Sequence, residues 1–185
     1  MKHTINNLIT KFSIKRVYSS YQEDIEDLVA IEAPLEIRLR SADQIVGKAI
    51  SVTMRTPGDD ELLAMGFLFT EGILADYNVI DDSQITDENI VEVSVKENVT
   101  LSLDKADRNF YTTSSCGVCG KSSIDAIKVN SQFKLKPAAP VIAHEILFDL
   151  QAKVVDKQSA FTKTGGIHAA ALFSSTGELI TLRED

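Results

Sequence analysis

Residues 35–40 read Leu-Glu-Ile-Arg-Leu-Arg, an alternation of apolar and charged side chains. Successive side chains of a β-strand point to opposite faces of the sheet, so Leu35, Ile37 and Leu39 would share one face. The apolar residues of the next alternating segment are Ile50, Val52 and Met54. These two segments predict strands with a common buried face.

Outward from this stretch, two more alternating segments lie at residues 91–95 and 99–103. The turn between them is Lys96-Glu97-Asn98, and this arrangement predicts a hairpin. One helix interrupts the strands. Three acids at residues 59–61 suit its first turn, where the helix dipole favours negative charge, and Gly72 suits its C-terminal cap. We interpret these acids as helix-terminus residues and not as a metal site. Residues 1–111 are therefore predicted to form a small, β-rich, antiparallel region.

Residues 112–185 have a different pattern. Ser122–Ile127 reads as an N-cap and a short helix, and apolar residues between 143 and 154 recur at helical spacing. A strand–turn–strand unit is predicted over residues 167–182, with a buried apolar strand at 167–173. This mixture predicts a separate α/β domain. Because the chain stops directly after a strand, we expect this domain to be incomplete at its C terminus.

The composition is that of an ordinary globular protein, with 44% hydrophobic and 25% charged residues and a net charge of −8. Non-specific nucleic-acid binding rests on a positive surface, so the net charge argues against that role. No stretch approaches the ~20 apolar residues that a membrane span requires. The chain has only two cysteines, three residues apart, which gives no disulfide framework and favours a reducing cytoplasm.

Both cysteines lie in the segment Cys-Gly-Val-Cys-Gly at residues 116–120. Thiolate is the reactive form of cysteine for nucleophilic attack, redox exchange and metal ligation. Glycine has no Cβ, so Gly117 and Gly120 permit unusual backbone conformations and the close approach of another molecule. Lys121 and the following helix N-terminus add positive potential. The segment therefore predicts sulfur chemistry on an accessible loop.

Several chemistries stay open for these two thiols. A zinc half-site would need two more ligands, for which His168 and a carboxylate are candidates. A thioredoxin-type redox pair would need a strand–loop–helix setting. The predicted loop before a helix meets that requirement in part. A persulfide carrier would need an exposed thiolate on a loop that can swing between donor and acceptor. The structural alternative is a pair of buried, small hydrophobic side chains.

Three other residues are candidate anion contacts, because they are donors close to glycines. Arg55 ends a predicted strand before the turn at residues 56–58, whose backbone N–H groups could bind an anion. The alternative there is a plain turn with a solvated Arg55. Lys121 follows the thiol segment. His168 follows Gly165-Gly166 and can donate and accept hydrogen bonds near physiological pH, although a satisfied core histidine is the alternative.

Five motifs follow one another along the chain. They are 54–62 (Met-Arg-Thr-Pro-Gly-Asp-Asp-Glu-Leu), 66–73 (Gly-Phe-Leu-Phe-Thr-Glu-Gly-Ile), 115–121 (Ser-Cys-Gly-Val-Cys-Gly-Lys), 164–173 (Thr-Gly-Gly-Ile-His-Ala-Ala-Ala-Leu-Phe, with Phe161 before it) and 183–185 (Arg-Glu-Asp). As a set, they resemble the formate dehydrogenase accessory sulfurtransferase family (FdhD/NarQ). The resemblance covers most of the chain. In that family the last motif continues into a Val-Gly-Arg-His-Asn segment, whereas this sequence stops at Asp185.

The resemblance implies a sulfurtransferase in which a small β-rich region precedes a cysteine-bearing domain of cytidine-deaminase-like α/β fold. Such a protein takes sulfur from a cysteine desulfurase as a persulfide. It delivers the sulfur to the molybdenum of the bis-molybdopterin guanine dinucleotide cofactor (bis-MGD), which formate dehydrogenase requires. By residue match, Cys116 is the persulfide carrier and Cys119 assists in relay. We expect the cofactor contacts at Arg55, Lys121 and His168, and no intrinsic metal. Members are cytoplasmic and form homodimers.

Two other functions stay open. A zinc-dependent, deaminase-like hydrolase would carry His-x-Glu and Pro-Cys-x-x-Cys motifs, but here alanines follow His168 and Ser115 precedes Cys116. A non-catalytic chaperone for the molybdenum cofactor would bind its cargo without thiols. The glycine-flanked cysteines would then have no evident role.

Overall fold

A computed structural model of the chain describes residues 8–99, 101, 110–111 and 141–185. The described residues contain both helices and β-sheets, which confirms the predicted α+β class. The cytidine-deaminase-like architecture of the second domain and its incompleteness stay predictions. No helix among the described residues is long and apolar enough to cross a membrane.

The described residues group into two units. The first, the hairpin unit, holds residues 8–32, 56–58 and 141–185, and the second, the sheet unit, holds residues 33–55, 59–99, 101 and 110–111. The N-terminal residues thus group with the C-terminal ones, which differs from the predicted linear division into 1–111 and 112–185. That division stays a prediction, because residues 112–140 lie outside the described part of the chain.

The sheet unit is built on a five-stranded sheet. In order across the sheet, its strands are β5 (Ile80–Asp87), β6 (Ile90–Val95), β3 (Ala33–Arg40), β4 (Lys48–Arg55) and β7 (Phe110–Tyr111). The pairs β3–β4 and β5–β6 are antiparallel, whereas β3–β6 and β4–β7 are parallel. The sheet is therefore mixed, and the prediction of purely antiparallel strands was wrong.

The buried face predicted for β3 is confirmed. Leu35 and Ile37 are fully buried, and helix α1 (Asp60–Thr70) contributes Ala64 and Leu68 to the same core. The core residues are Leu35, Ile37, Leu39, Ile50, Ala64, Leu68, Ile73, Leu74, Val91, Val93 and Val95. Since each fully buried aliphatic side chain stabilises the fold by roughly 1.5–3 kcal/mol, this one cluster accounts for much of the unit's stability.

Strand β4 departs from the predicted alternation because of a β-bulge. Ile37 lies opposite Ser51 and Arg38 lies opposite Ala49, so Ile50 has no opposite residue. A bulge changes which side chains of a strand face the core. Ile50 is buried, whereas Val52 and Met54 are exposed. The expectation that these three share one buried face was wrong for Val52 and Met54.

Strand β6 has a neighbour on each side, β5 and β3, and so offers no edge to a further strand. The predicted hairpin between residues 91–95 and 99–103 was therefore wrong in its pairing. The turn does occur, and Asn98 there has a left-handed φ of 64°. Beyond it, Val99 and Leu101 pack partly buried against the core, while residues 100 and 102–103 lie outside the described residues.

Helix α1 ends at Thr70, and Gly72 terminates it just beyond the cap, as the sequence predicts. This glycine has a left-handed φ of 67°, and its N–H donates to the Phe69 carbonyl at 3.0 Å. The N–H of Ile73 donates to the Leu68 carbonyl at 3.0 Å, and both of these side chains belong to the core. This pair of hydrogen bonds is a Schellman motif, which satisfies carbonyls at the helix end and turns the chain back toward the core.

The hairpin unit contains two antiparallel hairpins and two helices. They are β1 (Ile9–Val17) with β2 (Gln22–Ala30), β8 (Ala169–Phe173) with β9 (Leu179–Glu184), α2 (His144–Val155) and α3 (Ser159–Thr164). The predicted helix over 143–154 and the strand–turn–strand unit are confirmed. However, the first four residues of β8 are exposed, so the expectation of a buried strand was wrong. The sequence patterns did not predict β1, β2, β5, β7 or α3. The short helix predicted at 122–127 lies outside the described residues.

Two glycines provide a matched test of this structure. Gly177 has a φ of 78°, and a Cβ added there would lie 2.6 Å from Ile146 Cγ2. Gly177→Ala should therefore destabilise the chain by about 1–2 kcal/mol from the left-handed backbone alone. Gly66 lies within α1, where a Cβ would meet no atom of another described segment within 4 Å. Gly66→Ala should stabilise by roughly 0.5–1 kcal/mol. Urea unfolding measures both, and shifts in the same direction would contradict the prediction.

Candidate functional site

Two of the five predicted site residues lie in the described structure. Arg55 ends β4 in the sheet unit, and His168 directly precedes β8 in the hairpin unit. Cys116, Cys119 and Lys121 lie outside the described residues, so their roles stay predictions.

The Arg55 side chain is buried, and the residue is only 2% exposed. Its Nε and Nη2 donate to the two carboxylate oxygens of Asp60, each at 3.0 Å. Nη1 donates to the carbonyls of Ala33 and Pro34 at 3.3 and 3.4 Å, and Nη2 also donates to the Glu88 carbonyl at 3.3 Å. These acceptors match the five N–H donors of a guanidinium. The alternative of a solvated Arg55 was therefore wrong.

This arrangement gives Arg55 a structural role at the junction of four segments. The guanidinium joins the end of β4, the start of α1, the start of β3 and the turn between β5 and β6. Bidentate arginine–carboxylate bonds are among the strongest and most directional in proteins. A ligand anion would have to replace an acceptor that the chain already supplies. The predicted contact between Arg55 and the cofactor stays a prediction.

The acids at the start of α1 occupy the helix terminus, as the sequence indicates. Asp59 holds the N-cap position, and Asp60 and Glu61 lie in the first turn. Asp60 has a further role that the sequence interpretation missed, because its buried carboxylate neutralises Arg55. The signal that could have identified it is an arginine at the last position of a strand, five residues before an acid in the first turn of the next helix.

The turn after Arg55 contacts a carboxylate of the chain itself, and anion binding by this turn stays a prediction. In the hairpin unit, the N–H of Thr56 donates to Asp185 Oδ1 at 2.8 Å. The backbone of Asp185 pairs with that of His168 in both directions, at 2.9 and 3.0 Å. Two of the sequence motifs, the turn at residues 56–58 and the Gly-Gly-Ile-His segment, therefore lie against the same residue. No local pattern reveals Asp185, since 129 positions separate it from Thr56.

The neighbouring Glu184 serves the helix that leads to His168. Its Oε1 accepts the N–H of Phe161, in the first turn of α3, at 3.2 Å, where a negative charge is favourable. Helix α3 then ends at Gly165, which has a left-handed φ of 67°. A Cβ on Gly166 would meet only the Thr164 carbonyl, 4.0 Å away, within the described part of the chain. The loop before His168 is therefore open to approach.

The His168 side chain is exposed, so the alternative of a satisfied core histidine was wrong. An exposed imidazole beside an open glycine loop can donate to or accept from a polar or anionic ligand. It cannot carry sulfur, and no cysteine lies among the described residues. Any sulfur chemistry of the chain would therefore depend on the segment at 116–120. The described residues include no group of three or more His, Cys, Asp or Glu that could hold a metal ion, and the thiols of the zinc alternative lie outside them.

Comparison with known proteins supplies a family for these motifs. Residues 30–185 match the model of the FdhD/NarQ family. A curated relative from Streptomyces coelicolor, named sulfur carrier protein FdhD, is 42% identical over 169 residues, covering 86% of this chain and 58% of the relative. A relative of the same name from Saccharolobus solfataricus is 33% identical over 181 residues, covering 96% of this chain and 64% of the relative.

A solved structure from Desulfotalea psychrophila, described as a formate dehydrogenase accessory protein, superposes with a TM-score of 0.67. The match covers 96% of this chain and 62% of that chain at 17% sequence identity, so it shows similarity of fold alone. This chain thus spans less than two thirds of the length of each of these three proteins.

Proposed function

The chain belongs to the FdhD/NarQ family, and on that premise we propose that it carries sulfur for the maturation of formate dehydrogenase. It takes sulfur from a cysteine desulfurase as a persulfide and delivers it to the molybdenum of bis-MGD, in the cytoplasm and as a homodimer. One observation carries the proposal: the only two cysteines form Cys-Gly-Val-Cys-Gly in a chain 33–42% identical to proteins named sulfur carriers.

Loading is a thiol exchange at Cys116. Its thiolate attacks the terminal sulfur of the desulfurase persulfide, and a new sulfur–sulfur bond forms on Cys116 Sγ. The sulfur–sulfur bond of the donor breaks, and the desulfurase cysteine leaves as a thiolate. No electrons are gained or lost overall, because the transferred sulfur keeps its oxidation level.

Delivery requires that this sulfur be reduced to sulfide. The Cys119 thiolate attacks Cys116 Sγ, a disulfide forms between the two cysteines, and hydrosulfide leaves with the electron pair of the broken bond. Hydrosulfide then replaces an oxygen ligand of the molybdenum. The displaced oxygen leaves as hydroxide. A cellular dithiol subsequently reduces the disulfide. The spacing of Cys116 and Cys119 suits this exchange, since Cys-x-x-Cys pairs form disulfides in redox proteins.

The cofactor carries phosphate groups, and we propose that His168 and Lys121 contact them. The support for His168 is its exposure beside the open loop at Gly166. Arg55 is retained among the cofactor residues on sequence grounds. The guanidinium of Arg55 donates to both carboxylate oxygens of Asp60. Arg55 would therefore contribute to cofactor binding by positioning the adjoining Thr56.

The test is mass spectrometry of the chain after incubation with a cysteine desulfurase and cysteine. In the Cys119→Ala variant, which cannot discharge, the peptide that contains Cys116 should gain about 32 Da, one sulfur atom bound to the Cys116 thiolate. Treatment with a thiol should remove the adduct, and Cys116→Ala should not acquire it.

Two other outcomes would point elsewhere. Cofactor binding that survives the loss of both thiols, with no adduct on Cys116, would favour the non-catalytic chaperone. Stoichiometric zinc bound to Cys116 and Cys119 in the purified chain would contradict a free thiolate carrier and favour the hydrolase.

A further inference from the structure

We infer that the Thr56 hydroxyl is a second phosphate contact beside His168, and that Asp185 is the residue that positions it there. The inference rests on the proposed contact between His168 and the phosphate groups of the cofactor. It is independent of sulfur loading at Cys116. All three residues belong to the hairpin unit, and Asp185 forms hydrogen bonds with the other two.

The backbone of Asp185 extends the β8–β9 hairpin by one pair of residues. Ala169 lies opposite Glu184, and the next pair, His168 with Asp185, exchanges two hydrogen bonds of 2.9 and 3.0 Å. The Cα atoms of two residues that exchange both bonds lie about 5.5 Å apart. Directly opposite side chains of an antiparallel pair share a face. The His168 imidazole and the Asp185 carboxylate therefore project from the same face of the hairpin.

The Asp185 carboxylate brings Thr56 to that face. Its Oδ1 accepts the N–H of Thr56 at 2.8 Å, although 129 positions separate the two residues along the chain. A hydrogen bond to an ionised acceptor is roughly twice as strong as one between neutral groups. Thr56 thus lies against the residue that pairs with His168.

Thr56 and His168 both offer donors to a ligand. Neither the Thr56 hydroxyl nor the His168 imidazole makes a hydrogen bond to another residue in the described part of the chain. Hydroxyl and imidazole groups both donate hydrogen bonds, and a phosphate group has several strong acceptor oxygens. The sequence predicts an anion contact through the backbone of this turn. Because Asp185 already takes the Thr56 N–H, the contact falls to the Thr56 hydroxyl.

The preceding acid holds a different segment. Glu184 Oε1 accepts the N–H of Phe161, at the start of the helix that leads to His168. Consecutive side chains of a strand point to opposite faces, so Glu184 and Asp185 act on opposite sides of the hairpin. Replacing the Asp185 side chain should therefore release Thr56 while helix α3 stays in place.

Asp185 also carries a negative charge, which opposes the binding of an anion. The residue is exposed, so water and salt screen this charge, and we expect its positioning of Thr56 to have the larger effect on binding. Asparagine separates the two effects, because its Oδ1 can still accept the Thr56 N–H but carries no charge. Alanine removes both the acceptor and the charge.

The first test is an NMR titration of the chain with inorganic pyrophosphate, followed through the His168 imidazole signal. The variant His168→Gln identifies that signal by its loss. Thr56→Val removes the hydroxyl and keeps the backbone N–H, so it should raise the dissociation constant about tenfold, as for a lost hydrogen bond to a charged group. Thr56→Ser restores a hydroxyl and should bind pyrophosphate almost as tightly as the unmodified chain.

The second test asks whether Asp185 acts through Thr56. Asp185→Ala should also raise the dissociation constant about tenfold, whereas Asp185→Asn should bind at least as tightly as the unmodified chain. Adding Asp185→Ala to Thr56→Val should weaken binding little further, because residues that act as a unit are not additive. Asp76→Ala is the matched control. Asp76 Oδ1 accepts the N–H of Asn78, also at 2.8 Å, but in the sheet unit, so this variant should leave binding unchanged.

The outcomes separate this inference from the proposed function. Pyrophosphate that does not shift the His168 signal of the unmodified chain would overturn the phosphate contact at His168 and this inference with it. Unchanged binding in Thr56→Val would overturn the Thr56 contact alone. Tighter binding in Asp185→Ala would show that Asp185 competes with the anion, which contradicts a positioning role. Sulfur loading at Cys116 is measured independently by mass spectrometry.

Discussion

Replacing Arg55 with methionine should lower the free energy of unfolding by about 3–5 kcal/mol, because the buried Asp60 carboxylate then loses its cationic partner. The carbonyls of Ala33, Pro34 and Glu88 also lose a donor. Urea denaturation measures the change directly. A loss this large is a substantial part of the ~5–15 kcal/mol that stabilises an ordinary domain.

A second arginine of the same sheet provides the control. Arg38 is paired with Glu36, but their side chains are 29% and 30% exposed. A partly solvated pair contributes little, so Arg38→Met should cost less than about 1 kcal/mol. The contrast between the two variants isolates the effect of burial. Equal losses would mean that Arg55 is solvated after all.

The pairing of Arg55 with Asp60 can be tested separately from burial. The double variant Arg55→Met/Asp60→Leu should lose clearly less stability than the two single changes together, since it removes both buried charges. Strictly additive losses would show that the two side chains are not coupled. The same variants address the cofactor contact. A direct contact predicts that cofactor binding stays weak in the double variant even where stability recovers.

Local sequence patterns predict the central strand β3, but they predict neither strand β5 nor the bulge in β4. Strand β3 was predictable because its alternation is clean and one of its faces is fully buried. Strand β5 lies between the 3₁₀ turn Tyr77–Val79 and β6. This strand was not predictable, because its eight residues include three acids and show little apolar alternation. Its place at the edge of the sheet comes from its pairing with β6, the next strand along the chain, across the turn at Glu88 and Asn89. The bulge at Ile50 likewise depends on the pairing with β3, which no local pattern encodes.

The same limit applies to the site. Arg55, Lys121 and His168 could be singled out because each lies close to glycine in an unusual segment. Their partners could not be, because Thr56 meets Asp185 across most of the chain and Arg55 gathers carbonyls from Ala33 and Glu88. Sequence motifs thus locate candidate donors. Tertiary contacts decide whether those donors remain available to a ligand.

Cys116→Ala should abolish sulfur transfer altogether, whereas Cys119→Ala should leave the chain loaded but unable to discharge. In the proposed exchange, Cys116 is the atom to which sulfur binds, and Cys119 supplies the electrons that release it as sulfide. The first variant should therefore show no persulfide after incubation with a cysteine desulfurase and cysteine. The second should accumulate persulfide on Cys116, and an added thiol should release sulfide from it. Sulfide and bound sulfur are both measurable on the purified chain.

The contrast between the two cysteine variants decides between carrier and chaperone. Formate dehydrogenase activity in cells that depend on this sequence should fall to background with Cys116→Ala. The free energy of unfolding of this variant should stay within ~0.5 kcal/mol of that of the unmodified chain, because the sequence predicts that Cys116 lies in an accessible loop. Full activity of this variant would contradict a thiol carrier, because a chaperone acts through cofactor contacts alone. Equal loading of both variants would contradict the distinct roles of Cys116 and Cys119 while leaving sulfur transfer itself intact.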